Sequence, residues 1–173
     1  MELSRLGGPL TARGLESLIK THHPSLVFLL ETKCSSFKIG QVRYRFRMNG
    51  IGFDCEGRSG GLALLWDKSI SCTLRSFSKN HIDVTVMTDD ISPTWRFTGF
   101  YGDTDITKRK LSWELLKQLS LQSNREWLVA GDFNEILMQS EKFGISVMFL
   151  RRRDYLVWAL LVINLLGATD MNI

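Results

Sequence analysis

Two acidic residues of this 173-residue chain stand directly after short apolar segments. Glu31 closes the string SLVFLLE, and Asp132 follows WLVAG within the string GDFNE. A buried strand fixes the backbone of its last residue while the side-chain tip meets solvent, so strand ends suit reactive groups. Carboxylates at such ends offer the hard oxygen ligands that a divalent cation takes. In GDFNE, Asp132 and Asn134 are two residues apart and share a side of an extended segment. A carboxylate that takes a proton from water, beside an amide that orients an oxyanion, suits attack on a phosphate. Gly131 lets the backbone turn sharply before them. Simpler readings compete: an acidic turn or helix cap at Glu31, and an Asx turn after the strand at Asp132.

The surrounding pattern supplies the elements that hold these residues. Leu15, Leu18 and Ile19 mark one face of a helix over residues 10–21, and Pro24 ends it. Residues 25–30 form a wholly apolar strand running into Glu31. After a basic stretch with Arg43, Arg45 and Arg47, strands are expected at 60–66, 71–77, 81–88 and 95–101, joined by turn residues. Their close spacing implies an antiparallel sheet. Leu111, Trp113, Leu115 and Leu119 mark a helix over 107–121 with Thr107 as its N-cap. A buried strand at 127–130 follows, and a last helix is expected from near Val147. This order fits a layered mixed α/β fold rather than a doubly wound parallel sheet or an all-β sandwich. The three arginines at 43, 45 and 47 are expected to be exposed, with no more than a weak role toward nucleic acid.

Composition narrows the function classes. A hydrophobic fraction of 44% and a charged fraction of 23% are those of a globular protein, not of a disordered or collagen-like one. The net charge of +4 permits an acidic partner without requiring one. Cys34, Cys55 and Cys72 lack metal-ligand spacing and read as reduced thiols, which points to an intracellular protein. A catalytic thiol would need one of His22, His23 or His81 beside it. The N-terminus has no apolar core of a secretory signal. The apolar run from Tyr155 to Leu166, preceded by Arg151–Arg153, falls short of the roughly 20 residues of a spanning helix and reads as a buried helix.

Five strings occur in order along the chain: LVFLLETK around Glu31, SGGLALLW at 59–66, WRFTGFYGD at 95–103, KLSWELLKQL at 110–119 and WLVAGDFNEIL at 127–137. As a set they resemble the endonuclease/exonuclease/phosphatase superfamily, in particular the endonuclease-like region of plant retrotransposons without long terminal repeats (LINE type). The resemblance covers nearly the whole chain. It implies a four-layer αββα sandwich of the DNase type, Mg²⁺-dependent hydrolysis of phosphate esters, and DNA as partner through target nicking. Carried over by position, Glu31 matches the metal-binding glutamate and Tyr101 the strand-end tyrosine near the scissile phosphate. Asp132 matches the aspartate that activates water, and Asn134 the asparagine that helps bind the phosphate. As a bare residue, Tyr101 also reads as a half-buried strand tyrosine.

The chain departs from the family pattern at both ends. Glu2 falls where the family has an asparagine after its first strand, and no closing Ser-Asp-His string occurs; no histidine lies beyond His81. Residues 1–173 are therefore expected to form a single domain lacking the first strand and the C-terminal part, with its second sheet incomplete. That domain is expected to be weakly active or inactive, or a non-catalytic nucleic-acid-binding or interaction fragment. The four matched residues are expected to line one cleft.

Overall fold

The computed structural model describes residues 9–32, 35–53, 61–88, 93–134, 146–151 and 160–164, with residues 9–13, residue 36 and the last two stretches described by backbone alone. The chain divides into two compact units, Met1–Cys72 with Leu156–Ile173, and Thr73–Tyr155.

In the first unit, helix α1 (Pro9–His22) leads into strand β1 (Leu26–Leu30). The helix stops where His23 takes a left-handed φ of 45° ahead of Pro24, which disfavours further helix. Helix α2 (Ser36–Arg45), strand β2 (Asn49–Phe53) and strand β3 (Leu62–Trp66) follow. The sheet has the order β2-β3-β1-β9, where β9 (Leu160–Asn164) lies parallel to β1 and the other pairs are antiparallel. Every residue of β1 and β3 is buried, which is why both read as unbroken apolar runs. Leu15 of α1 and Ile39 and Val42 of α2 pack on Val27, Leu29, Ala63 and Leu65. Each such side chain, fully buried, contributes about 1.5–3 kcal/mol.

In the second unit, strands β4 (Ser71–Ser78, beginning at the unit boundary), β5 (His81–Met87), β6 (Trp95–Tyr101), β7 (Trp127–Asp132) and β8 (Ser146–Arg151) form a sheet in that order. Helix α3 (Arg109–Leu121) sets Leu116 and Leu119 on Phe100, Trp127, Val129 and Phe133. β6 and β7 run parallel, as the intervening helix requires, while β5 and β8 run antiparallel to their neighbours.

Four sequence expectations are corrected. The basic stretch contains helix α2, which was not foreseen; its inward face is Ile39, Val42 and the following Phe46. Thr107 does not cap α3. Asp105 caps a preceding 3-10 turn, Ile106–Lys108, its carboxylate accepting from the Thr107 N–H at 3.0 Å, and α3 itself begins behind Lys108. The helix expected from Val147 is instead strand β8, antiparallel to β7. The described part of the Tyr155–Leu166 run is strand β9 rather than a buried helix. Short apolar runs suit either state, and the open edges of β7 and β1 decide for strand. Among the described residues no helix is long and apolar enough to cross a membrane.

Candidate functional site

The second unit brings three of the four singled-out residues together. Tyr101 is the last residue of β6 and Asp132 the last of β7, and the parallel register pairs them directly. Past these ends the two chains stay tied. The Gly102 N–H donates to the Asp132 carbonyl at 2.7 Å, and the Asn134 side-chain amide donates to the Gly102 carbonyl at 2.6 Å. The Asn134 N–H donates to Asp132 Oδ1 at 2.8 Å, so Asp132 heads an Asx turn. The turn and the juxtaposition therefore coexist. Asn134 has φ 52°, a left-handed conformation that asparagine tolerates better than most residues. On the other side of β6, Asn80 accepts from the Tyr101 N–H and donates to the Tyr101 carbonyl, both at 2.7 Å.

Two glycines make this closeness possible. A Cβ on Gly102 would overlap the Phe133 carbonyl. Gly131 does not turn the chain after the strand, as its sequence suggested; it lies within β7, paired with Phe100 and with Ser146 of β8. Its φ is 157°, and a Cβ there would overlap the Phe100 carbonyl oxygen. Any side chain would push β7 off β6 just where Tyr101 and Asp132 meet. Phe133 turns back under α3, its ring 5.3 Å from Phe100 and 5.9 Å from Trp113. Asp132 is buried but for the edge of its side chain.

Glu31 belongs to the first unit. It follows β1, is half-buried, and has φ 51°. Glutamate seldom adopts that conformation, and the strain of about 1–3 kcal/mol persists only where neighbours enforce it. Here the wholly buried β1 precedes it, and the Thr32 N–H donates to the Gly61 carbonyl at 3.0 Å after it. As to a metal, no group of three or more His, Cys, Asp or Glu side chains gathers among the described residues. Mg²⁺ is commonly held by one or two carboxylates with several waters, and a strand-end Glu31 offers one such carboxylate.

Sequence reasoning missed a buried polar network beneath β5, β6 and β7. Arg96 and Asp83 are wholly buried; Arg96 donates from Nε to Oδ1 at 2.8 Å and from Nη2 to Oδ2 at 3.0 Å. Arg96 also donates to the Leu119 carbonyl at 2.6 Å and lies 4.5 Å over the Trp127 ring. Thr98 donates to Asp83 at 2.7 Å and accepts from the Trp127 indole at 2.8 Å. The network clamps β6, β7 and α3 behind the strand ends. The only sequence trace was polar residues alternating with apolar ones in β5 and β6, which also describes a solvated face. Cys72 is a free thiol whose burial pushes its pKa up to about 12, which disfavours the nucleophilic thiolate.

A family model described as the endonuclease/exonuclease/phosphatase family matches residues 4–158. No curated protein matches. Among solved structures, an endonuclease/exonuclease/phosphatase family protein from Bacteroides thetaiotaomicron matches with TM-score 0.59 and 12% identity, over 76% of this chain and 57% of that one. TDP2 from D. rerio, complexed with single strand DNA product, gives TM-score 0.56 and 15% identity over 77% and 56%. The human Nocturnin catalytic domain with a bound sulfate anion gives 0.55 and 13% over 72% and 56%. This chain thus spans just over half the length of each. The likeness carries the fold class, mixed α/β with two sheets and helices, consistent with the DNase-like sandwich. With the family model matched along most of its length, the chain belongs to the endonuclease/exonuclease/phosphatase family.

Proposed function

We propose that the chain is a phosphodiesterase-type nuclease domain acting on DNA, with Asp132, Asn134 and Tyr101 as catalytic residues and Glu31 as the ligand of a Mg²⁺ ion. The observation that carries this reading is the side-by-side placement of Tyr101 and Asp132 at parallel strand ends, with Asn134 hydrogen-bonded to both chains. Asp132 accepts the Asn134 N–H at Oδ1, which orients its carboxylate to take a proton from an attacking water. The Asn134 amide has two N–H donors; one goes to Gly102, and the other can hold a phosphate oxygen. The Tyr101 hydroxyl donates toward the same phosphate. A Mg²⁺ ion at Glu31 would neutralise charge developing on the phosphate oxygens. The TDP2 structure with single strand DNA product supports DNA as the substrate class.

The five matched strings support reading the chain as part of an intracellular retroelement protein of the plant LINE type. Turnover by these 173 residues alone is weak, because they contain no Ser-Asp-His string to hold the attacked phosphate. A second reading, binding without cleavage, is favoured by the four cations and no anion within residues 36–47.

A plasmid-nicking assay decides between them. Weak nicking should require Mg²⁺ and fall about 10²–10⁴-fold in Asp132→Ala, the usual weight of a general base. Nicking equal in wild type and variant would remove Asp132 from the site. No nicking, with DNA still bound, would leave the second reading.

A further inference from the structure

Helix α2 buries one face and presents a different kind of surface on the other. Ile39, Val42 and Phe46 pack into the first unit's core. Opposite them, Phe37 is 73% and Tyr44 88% exposed. Seven residues apart on a helix, these rings stand in one line, roughly 10 Å apart along the axis. Gly40 and Gln41 occupy the turn between them. Glycine weakens a helix interior, yet a Cβ at Gly40 would meet nothing within 4 Å. Internal packing therefore does not require glycine there, and the space between the rings is open.

Charge says what fits that space. Residues 36–47, SFKIGQVRYRFR, carry Lys38, Arg43, Arg45 and Arg47 and no acidic residue. Arg43 donates to the Gly50 carbonyl at 2.9 Å, and Arg45 pairs with Glu16 of α1, which also holds Lys20. The balance stays positive around two bare aromatic rings. An anionic ligand with flat apolar groups matches this pattern, and single-stranded nucleic acid is such a ligand: every base offers a π-face, and the backbone supplies phosphates. A duplex hides its base faces in its own stack. A lipid surface would call for more apolar side chains, whereas Phe37 and Tyr44 are the only large hydrophobic residues exposed on α2.

We propose that this face of α2 is a stacking surface for single-stranded nucleic acid, with Phe37 and Tyr44 each taking a base and Lys38 and Arg47 the neighbouring phosphates. The proposal rests on nucleic acid being the chain's substrate class, and assigns a surface that is not part of the strand-end site.

The test is fluorescence anisotropy of a short labelled oligothymidylate with the full chain in EDTA, so that no cleavage intervenes. Phe37→Ala combined with Tyr44→Ala should weaken binding by roughly tenfold or more. Tyr44→Trp should keep it, and Gly40→Leu, which fills the gap, should weaken it. Circular dichroism and the urea midpoint should be the same for wild type and the double alanine variant, since both rings are exposed. A duplex of matching length should bind more weakly and ignore the double substitution. The proposal is overturned if wild type does not bind the oligonucleotide, or if the double variant binds it equally well. It is also overturned if the variant loses binding only to phosphatidylserine vesicles or to an acidic protein. Failure of plasmid nicking, with strand binding still dependent on Phe37 and Tyr44, would sink the cleavage reading and leave this one standing.

Discussion

Arg96→Met is the sharpest test of what holds the strand ends in place. Methionine keeps much of the length and volume of arginine and removes the charge and the donors. Three short hydrogen bonds disappear: two to Asp83 and one to the Leu119 carbonyl. Asp83 is then left as a buried carboxylate supported by Thr98 and by Arg75, whose Nε stands 3.2 Å from Oδ2 and whose side chain is 27% exposed. Stranding one member of a buried pair costs about 3–5 kcal/mol. The orphaned Leu119 carbonyl adds about 1 kcal/mol or more, and Arg75 returns some of the total by moving closer. A net loss of about 3–5 kcal/mol is expected, a large share of the roughly 5–15 kcal/mol that holds a domain together. Urea denaturation followed by tryptophan fluorescence reads it, since Trp127 lies against Arg96. The cycle is closed with Asp83→Leu. Replacing both partners by apolar residues removes the stranded charge, so the double variant should recover most of the loss. A single variant within about 1 kcal/mol of wild type, or a double variant no better than the single, would refute the account of the network as a clamp.

Two further outcomes are expected. His81 is buried, with Ser78 Oγ 2.8 Å from Nδ1 and Ser76 Oγ 2.9 Å from Nε2; burial pushes its pKa below the ordinary 6.5, Asp83 opposing and Arg96 adding to the shift. The unfolded chain then takes up the proton first, so stability is full above 6.5 and is lost as pH falls through the depressed folded value. Urea midpoints at about pH 7.5 and about pH 5.5 should differ more in wild type than in His81→Gln; equal differences would assign the loss to other groups. The carboxylates of Glu16, Asp67 and Asp105, held low by hydrogen bonds, lose their contribution in a separate window beneath 4.5 and 3.8. At Glu31, glycine relieves the left-handed φ of 51°. Glu31→Gly should raise stability by about 1 kcal/mol and abolish Mg²⁺-dependent nicking, while Glu31→Gln abolishes nicking without the gain; a Gly variant less stable than the Gln variant would show the conformation to be unstrained.

The parts of the fold that were legible in sequence are those whose signal is local. LVFLL and LALLW are apolar throughout because both faces of β1 and β3 are buried, and the turn residues beside each run tip the reading toward strand. Helix α2 was not legible for a reason that bears on its surface. Phe37 and Tyr44 put apolar letters on the exposed side, Gly40 weakens the helical signal, and the inward residues Ile39, Val42 and Phe46 no longer stand out as a stripe. β8 and β9 failed differently. SVMFLR and LLVIN suit a helix or a strand, and the deciding fact, an open edge on β7 and on β1, lies far away in sequence.

The candidate site divides along the same line. That Glu31 and Asp132 end apolar strands could be read from their neighbours. That Tyr101 stands beside Asp132 could not, because a parallel register between β6 and β7 is a property of two segments joined through α3; only the resemblance reached it. Gly131 shows how the local reading went astray. A glycine before an acidic residue suggests a turn, but here it sits inside β7 because the Phe100 carbonyl occupies the space of a side chain. The same substitution would therefore be judged tolerable from the turn and destructive from the register. Asp83 and Arg96 repeat the lesson with charge. In HIDVTVM and WRFTGFY they alternate as solvent-facing residues would, yet α3 lies over that face and each is buried against the other. What positions the strand-end residues is thus carried by contacts between segments, and a substitution at Gly131 or Arg96 would act on Tyr101 and Asp132 through the packing of β6 against β7.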